Sequence, residues 1–532
     1  MGIYLNPNNE NFKKITHAEI YVDKTMMIRV LNGFMETARE YVCVSRPRRF
    51  GKTIAGNMLS AYYSKGCDSR ALFAPFKISG DPGFASNLNK LNVIKIDMNS
   101  EYQNARNKDR LLDDLQDKIV AEFAGQFPDI AFDTNDSVGN CILKAYAQKN
   151  EKFVVIIDEY DVLVRESVSP ELFSRYLGFL NGLFKSDTLR PAISLAYITG
   201  ILPVIRDRIQ SKLNNFWEYT ILDAEELAEY IGFTASEVQA LCRQYGVDYE
   251  ECRRWYDGYR QHGFEIYNPE SVVKCIQTKK FANYWSKTST YAVIADRIQA
   301  NFEGTRDDVI RMLADESVDV DTGMYMNTMS EFHGKDDVFT YLIHLGYLSY
   351  DEGEETCRIP NKEVQQEWKR AVSIIAEYKM TDRIIKASKD LLAETLRLNA
   401  DAVAKSLDES HINVTSNRSY TRSKQGRMSE EDALQSAIYL SYIYALNKYT
   451  IVKEMTSGKG FADVVFIPFV PDIPAMIIEL KRNGSPESAI TQIREKRYFD
   501  SLSAYSGDLL FVGVNYDEGT KTHECRIEQF VK

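Results

Sequence analysis

YVCVSRPRRFGKT (residues 41–53) passes from a short apolar, β-branched stretch into a basic loop, then into residues that recur at helical spacing. A strand, a loop ending Gly-Lys-Thr and a helix are the setting of a phosphate-binding loop, G-x-x-x-x-G-K-[ST]. Every position fits except the first, where Arg46 stands for glycine. The loop Arg46, Pro47, Arg48, Arg49, Phe50 and Gly51, with the helix N-terminus behind it, would turn backbone N–H groups towards phosphate oxygens. Lys52 would then reach the β/γ-phosphates of ATP, and the Thr53 hydroxyl would bind Mg²⁺. A basic surface turn that merely contains Gly-Lys-Thr is the plainer alternative.

FVVIIDEYD (153–161) weighs against that alternative. It reads as a buried strand ending in two carboxylates, which are costly there unless they serve a cation or a proton. Asp158 would hold Mg²⁺ through its water shell, and Glu159 would polarise the attacking water. The apolar runs NVIKIDM (92–98) and AISLAYITG (192–200) flank this strand in sequence. Such near-continuous hydrophobicity belongs to strands buried on both faces of a parallel sheet. Between them, Ile54, Met58, Leu59 and Tyr62, and again Leu111, Leu112, Leu115 and Ile119, keep helical spacing. Residues 1–222 are therefore expected to form an α/β nucleotide-binding domain.

Beyond residue 223 strands give way to helices. Residues 338–361 read as a helix followed by two short strands about an acidic turn, a winged-helix pattern, within a helical region spanning 223–412. NVTSNRSYTRSKQGR (413–427) has no apolar period and is the expected linker. Residues 428–532 form a second, smaller α/β unit. It opens with a helix (430–447), continues with strands TIVKEM, ADVVFIPF and AMIIELKR, and closes with a helix (486–504) and the strand LLFVGVNY.

Composition sets the outer limits. The 532 residues are 44% hydrophobic and 27% charged, enough for several cores and unlike a disordered chain. A net charge of -11 and a pI near 5.3 argue against coating nucleic acid through bulk positive charge. The eight cysteines show no C-x-x-C and the six histidines no H-E-x-x-H, so reduced thiols in a cytoplasm are expected, with neither disulfides nor structural zinc. The first residues lack an apolar targeting core, position 6 is Asn where a myristoylation signal wants Ser or Thr, and no run of about 18 apolar residues would span a membrane.

YVDKT (21–25), SRPRRFGKT (45–53), IIDEYD (156–161), YITGIL (197–202), LNN (213–215), YDGY (256–259), IYNPES (266–271), YW (284–285), GYLSY (346–350) and IPNKEV (359–364) together resemble the AAA-ATPase-like proteins. These are relatives of the STAND and archaeal-type ATPases, common in anaerobic bacteria. In that family R-P-R-R-F-G-K-[ST] is the usual loop, so Arg46 departs only from the wider consensus. The resemblance implies that Thr199 is a sensor-like polar group near the γ-phosphate, although a satisfied strand-end threonine explains it equally. It also offers Arg206 and Arg208 as charge-sensing arginines, which as surface residues need no special role.

A second constellation is Glu431, Asp463, Glu479 and Lys481. Glu479 and Lys481 alternate along MIIELKR, so their side chains share one face of a strand. An Asp from one strand and E-x-K from the next is the arrangement of PD-(D/E)xK nucleases. Asp463 and Glu479 would hold Mg²⁺ (or Mn²⁺), Glu431 would complete the metal shell, and Lys481 would orient a water. The order of these elements resembles the PD-(D/E)xK domain that accompanies the AAA-ATPase-like region, with Gln492 and Tyr498 matching its last helix. Leu434 and Gln435 stand where many relatives have Tyr-His.

Two functions follow as expectations. In the first, ATP turnover licenses metal-dependent cleavage of nucleic acid, DNA favoured, in defence or mobile-element control. In the second, a STAND-like ATP switch uses the C-terminal fold only to bind DNA or a protein partner. Arg418, Arg422, Lys424 and Arg427 would supply phosphate contacts beside the nuclease unit or simply solvate a linker.

Overall fold

The structure, a computed structural model, describes the chain apart from residues 1, 134, 167, 205, 208–209, 212, 286–290, 300–301, 303, 314, 324, 326–331, 375–378, 416–433, 435–437, 440, 458–459, 471, 503–504, 506 and 531–532. Two compact units are built from interleaved stretches: Met1–Ser289 with Asp319–Gln366, and Thr290–Val318 with Glu367–Lys532.

The first unit centres on five strands: β1 (Tyr41–Ser45), β2 (Asn92–Asp97), β3 (Phe153–Asp158), β4 (Ile193–Gly200) and β5 (Trp217–Tyr219). They lie in the order β2-β3-β4-β1-β5, and every pairing is parallel. β1, β3 and β4 are buried at every position, as apolar runs without alternation require. Helices α1 (Lys52–Tyr63), α2 (Leu111–Gln126), α3 (Val138–Lys149) and α4 (Pro170–Phe184) pack around it. Ser137 and Ser169 cap α3 and α4 by accepting from the N–H groups of Asn140 and Leu172, and Pro170 opens α4 where no N–H is needed. One residue of the apolar pattern falls outside the core: Ile54 is 41% exposed, while Ala55, Met58, Leu59, Tyr62 and Tyr63 of α1 are buried. The helix is short and its inner face is filled by the later residues.

The remainder of this unit includes a small antiparallel sheet of Phe233–Thr234, Phe264–Tyr267 and Tyr259–Gln261, with helices Ala235–Tyr245, Tyr249–Tyr256 and Pro269–Thr278 beside it. Helix α5 (Lys335–Leu345) leads into a hairpin of Ser349–Asp351 and Thr356–Arg358, the helix-then-wing order read from the sequence.

The second unit holds a mixed sheet: β6 (Tyr449–Ser457), β7 (Gly460–Pro468), β8 (Ala475–Arg482), β9 (Leu509–Asp517) and β10 (Thr522–Phe530), in that spatial order. β8 and β9 run parallel and the other neighbours antiparallel. A parallel pair needs a crossover, supplied by α8 (Pro486–Glu495). Two earlier helices, α6 (Lys379–Leu396) and α7 (Ala400–Thr415), contribute Leu391, Leu392, Val403 and Leu407 to the core on one side of the sheet. Ile490 and Ile493 of α8 pack with Val465, Ile477 and Phe511 on the other. Each such fully buried aliphatic side chain contributes about 1.5–3 kcal/mol of hydrophobic free energy. β10, absent from the sequence reading, forms the last strand of the sheet. Residues 416–427 of the expected linker lie outside the described residues, and so do Arg418, Arg422, Lys424 and Arg427. Among the described residues no helix is long and apolar enough to cross a membrane.

Candidate functional site

The parallel sheet brings the two N-terminal motifs to the same edge, because β1 and β3 both flank β4 and all run in one direction. Gly51 is the N-cap of α1 at φ +93°, and Arg49 is also left-handed at +71°. The first suits glycine alone, and it lets the chain turn sharply into the helix. Lys52 is 4% exposed, and its Nζ donates to the carbonyl oxygens of Arg46 and Pro47, each at 2.9 Å. Burial depresses the Lys52 pKa, against the opposing pull of Glu159, Asp161 and Asp158.

The loop arginines have distinct duties. Arg46 is fully buried, and its Nη1 donates to the carbonyls of Ser45 and Tyr219 at 2.8 and 2.7 Å. Burial brings its pKa down to about 10. Its guanidinium therefore braces the loop against β1 and β5, while the Arg46 backbone N–H donates to the Gly200 carbonyl at 3.1 Å. Arg49 donates to the Tyr284 carbonyl at 2.8 Å and pairs with Glu270 at 3.2 Å, while Arg48 is exposed. Phe50 meets Tyr259 edge-on at 5.3 Å, and the Tyr259 hydroxyl donates to the Gly346 carbonyl at 2.6 Å. Gly346, at φ +83°, lies so near Pro47 that an added Cβ would come within 2.7 Å of the proline ring. The YDGY, YW and GYLSY motifs thus pack against the loop. Glu363 of IPNKEV completes them, accepting from the Ser271 hydroxyl and from the N–H groups of Tyr284 (2.7 Å) and Trp285 (2.9 Å).

Asp158 ends β3 at 1% exposure, opposite Asp97 on β2 and Thr199 on β4. Burial raises its pKa to about 6, and a hydrogen bond from Thr53 opposes the shift. Thr53 and Asp158 therefore meet, as a shared Mg²⁺ ligand shell requires. Thr199 donates its hydroxyl to the Val44 carbonyl at 2.8 Å, tying β4 to the loop strand. Glu159 takes the left-handed conformation, φ +52°, uncommon for a residue with a Cβ. Its carboxylate accepts from Arg165 Nη2. Asp161, fully buried, accepts from the N–H groups of Ile201 and Leu202 at 3.0 and 2.9 Å and from Arg165 Nε at 3.1 Å. Sequence reasoning singled out neither Asp161 nor Arg165. The signal was present, since the two lie four apart, on one face of a helical turn.

In the mixed sheet, β7 and β8 pair antiparallel with Val464 opposite Ile478, so Asp463 and Glu479 follow at the same end of the ladder. Asp463 Oδ2 accepts from the Leu480 N–H at 2.7 Å. Glu479 is 2% exposed, and its Oε1 accepts from Lys481 Nζ at 3.1 Å and from Gln492 Nε2. Gln492 also accepts from Lys481 at 2.7 Å and donates to the Tyr498 hydroxyl at 3.0 Å. Among the described residues Glu479 Oε2 has no hydrogen-bond partner. Burial first, and then the Asp463 charge, push the Glu479 pKa up to about 7. A buried glutamate beside a half-buried aspartate, with one oxygen unpaired among the described residues, fits a hard cation such as Mg²⁺ or Mn²⁺. Among the described residues no cluster of three or more His, Cys, Asp or Glu side chains is arranged for a metal. Glu431, expected as a third ligand, lies outside the described residues, as do Gln435, Arg208 and the side chain of Arg206. Leu434 is buried in the core beside α6.

Comparison with known proteins agrees with both halves. Residues 9–210 match the family model "Predicted AAA-ATPase", and residues 429–525 match "PD-(D/E)XK nuclease superfamily". The chain thus joins an N-terminal region that matches predicted AAA-ATPases to a C-terminal region that matches the PD-(D/E)XK nuclease superfamily. A similar curated protein, "Uncharacterized protein in vnfD 5'region" of Azotobacter chroococcum mcd 1, is 22% identical over 533 residues, covering 96% of each chain. Two solved structures overlap the fold at 10% identity. Cdc6p from Pyrobaculum aerophilum covers 69% of this chain and 98% of its own at a TM-score of 0.24, and the ORC2 protein of Aeropyrum pernix covers 68% and 97% at 0.27.

Proposed function

We propose that the N-terminal domain binds and hydrolyses ATP, and that this turnover licenses cleavage of nucleic acid phosphodiesters, DNA favoured, by the C-terminal domain. The observation that carries the nuclease half is the Glu479 carboxylate, sealed beside Asp463 with one oxygen paired and the other unpartnered among the described residues. A divalent cation held by Asp463 and Glu479 would supply Lewis-acid polarisation of the phosphate and of a water. Lys481 provides the positive charge for the oxygen that gains negative charge during attack. Gln492 keeps that ammonium aligned, because its amide oxygen accepts from Lys481 while its amide N–H groups reach Glu479 and Tyr498.

In the N-terminal domain, Lys52 would exchange its two loop carbonyls for phosphate oxygens, a charge-assisted replacement for neutral bonds. Thr53 and Asp158 would hold the nucleotide's Mg²⁺, and Glu159 would take a proton from the attacking water. The test is purified full-length protein with plasmid, linear and single-stranded DNA and with RNA, in Mg²⁺ or Mn²⁺, with and without ATP. Cleavage that needs metal and rises with ATP is the expected result. ATP turnover without cleavage of any substrate would reduce the C-terminal domain to a binding module.

A further inference from the structure

The turn Val162–Arg165 follows the β3 carboxylates directly, and its last residue returns its guanidinium to them. Arg165 reaches two acids at once, donating through Nη2 to Glu159 and through Nε to Asp161 at 3.1 Å. Its side chain is 9% exposed, that of Glu159 23% and that of Asp161 0%. Asp161 is itself fastened to the start of the segment after β4 through the N–H groups of Ile201 and Leu202. The arginine fork is thus rooted at one prong, and its other prong is on the residue assigned to activate water.

We propose that Arg165 is a positioning residue that restrains Glu159 and keeps ATP turnover slow until the ion pair opens. The proposal rests on the ATP-hydrolysing reading of the site. A general base must offer a lone pair to the water's proton. Oε2 of Glu159 instead accepts a charge-assisted N–H, which holds the carboxylate turned towards Arg165. The backbone cannot swing this carboxylate free, because Glu159 is fixed in its left-handed conformation from both sides. Its own N–H donates to Asp158 Oδ1 at 3.0 Å, and the Tyr160 N–H donates to the Thr199 carbonyl at 3.1 Å. Only side-chain rotation separates the clamped carboxylate from a free one. Because Nε stays bound to Asp161, opening the clamp costs one contact rather than the whole fork.

The experiment measures steady-state ATP turnover in full-length Arg165→Gln, Arg165→Lys and the double variant Arg165→Gln/Glu159→Gln, with ATP binding followed by a fluorescent analogue. Arg165→Gln keeps a donor for Asp161 and loses the cation, so kcat should rise about tenfold, the equivalent of one lost charge-assisted bond, with KM within about twofold. Arg165→Lys, which retains the charge, should bring turnover back towards the wild-type rate. The double variant should be as slow as Glu159→Gln, because the gain must pass through Glu159. Should Arg165→Gln not fold, Arg165→Met keeps the buried stem and carries the same expectation. An unchanged or lower kcat with ATP binding intact would overturn the restraint. Failure of the underlying reading looks different: the wild type binds no ATP, or Glu159→Gln turns it over at the wild-type rate.

Discussion

Asp158 closes a strand of the parallel sheet, Glu479 lies within a strand of the mixed one, and both are nearly sealed from water, at 1% and 2% exposure. Burial lifts both pKa values, to about 6 and about 7. Their neighbourhoods differ. Around Asp158 the chain supplies its own compensation: a Thr53 hydroxyl, the nearby Lys52, and one guanidinium, that of Arg165, shared by Glu159 and Asp161. Beside Glu479 a single ammonium serves one oxygen, and the second carboxylate nearby raises the cost. Burial alone therefore does not mark a metal site, nor does one unpaired oxygen, since Asp161 Oδ1 lacks a partner among the described residues too; at Glu479 the two coincide with a second carboxylate. The mixed-sheet site should depend on an added cation more steeply than the parallel-sheet site.

The largest effect expected from this contrast is on cleavage. Asp463→Ala and Lys481→Ala should each lower metal-dependent cleavage by about 10³-fold or more while ATP turnover and folding persist. Wild-type cleavage in both variants would break the comparison. Next come the nucleotide variants. Glu159→Gln should keep ATP binding and lose about 10²- to 10⁴-fold in turnover. Lys52→Ala should weaken binding itself and, through it, reduce DNA cleavage. Cleavage undiminished in Lys52→Ala at every nucleotide condition would mean the two activities are only tethered.

Glu363 sharpens the contrast because it is a buried acid that needs no metal: hydroxyl and backbone donors converge on its carboxylate. Burial nevertheless raises its pKa to about 7. The folded state thus holds its proton more tightly than the unfolded chain. This contribution to stability is fully present below the ordinary glutamate pKa and is lost as pH rises through about 7. Between those limits the loss is on the order of 3 kcal/mol. Glu363→Gln, which keeps an acceptor, should flatten that slope in denaturant unfolding measured from pH 5 to 8. An unchanged slope would show that Glu363 stays ionised in the fold. The smallest effect belongs to Gly200→Ala, whose Cβ would come within 2.5 Å of Asp161 Oδ1. It should cost about 1–3 kcal/mol, read as a lower unfolding midpoint for the first unit.

The sequence carried the motifs whose chemistry needs fixed residue types. Strand-loop-helix at 41–53, the β3 carboxylates and the alternation of Glu479 and Lys481 are all visible as spacing, because backbone geometry imposes them. What it hid has physical reasons. β10 reads THECRIEQF, half-exposed along its length, so no apolar run announces a last strand lying beside only one neighbour. β5 is three residues long, too short for a periodic signal. The brace formed by Arg46 joins residues 173 positions apart, and the clasp of Ser271 and Glu363 spans 92. Nothing local to either residue encodes such a meeting. Arg165 is the exception, since its partners lie within six residues. A surface arginine and a clamp look alike until burial is known.

The shared core around the mixed sheet has a practical consequence for anyone excising the nuclease-like part. Leu391, Leu392, Val403, Leu407 and Ile310 cover a face made of Val464, Phe466, Met476, Ile478, Leu510, Val512 and Val514. A fragment beginning near residue 428 leaves all five behind and bares the part of that face they cover, with only residues such as Leu434, Ile438 and Tyr442 left to pack on it. Bared apolar patches drive self-association, so such a fragment should be recovered as aggregates, whereas one that begins before α6 and retains both helices should stay in solution far longer.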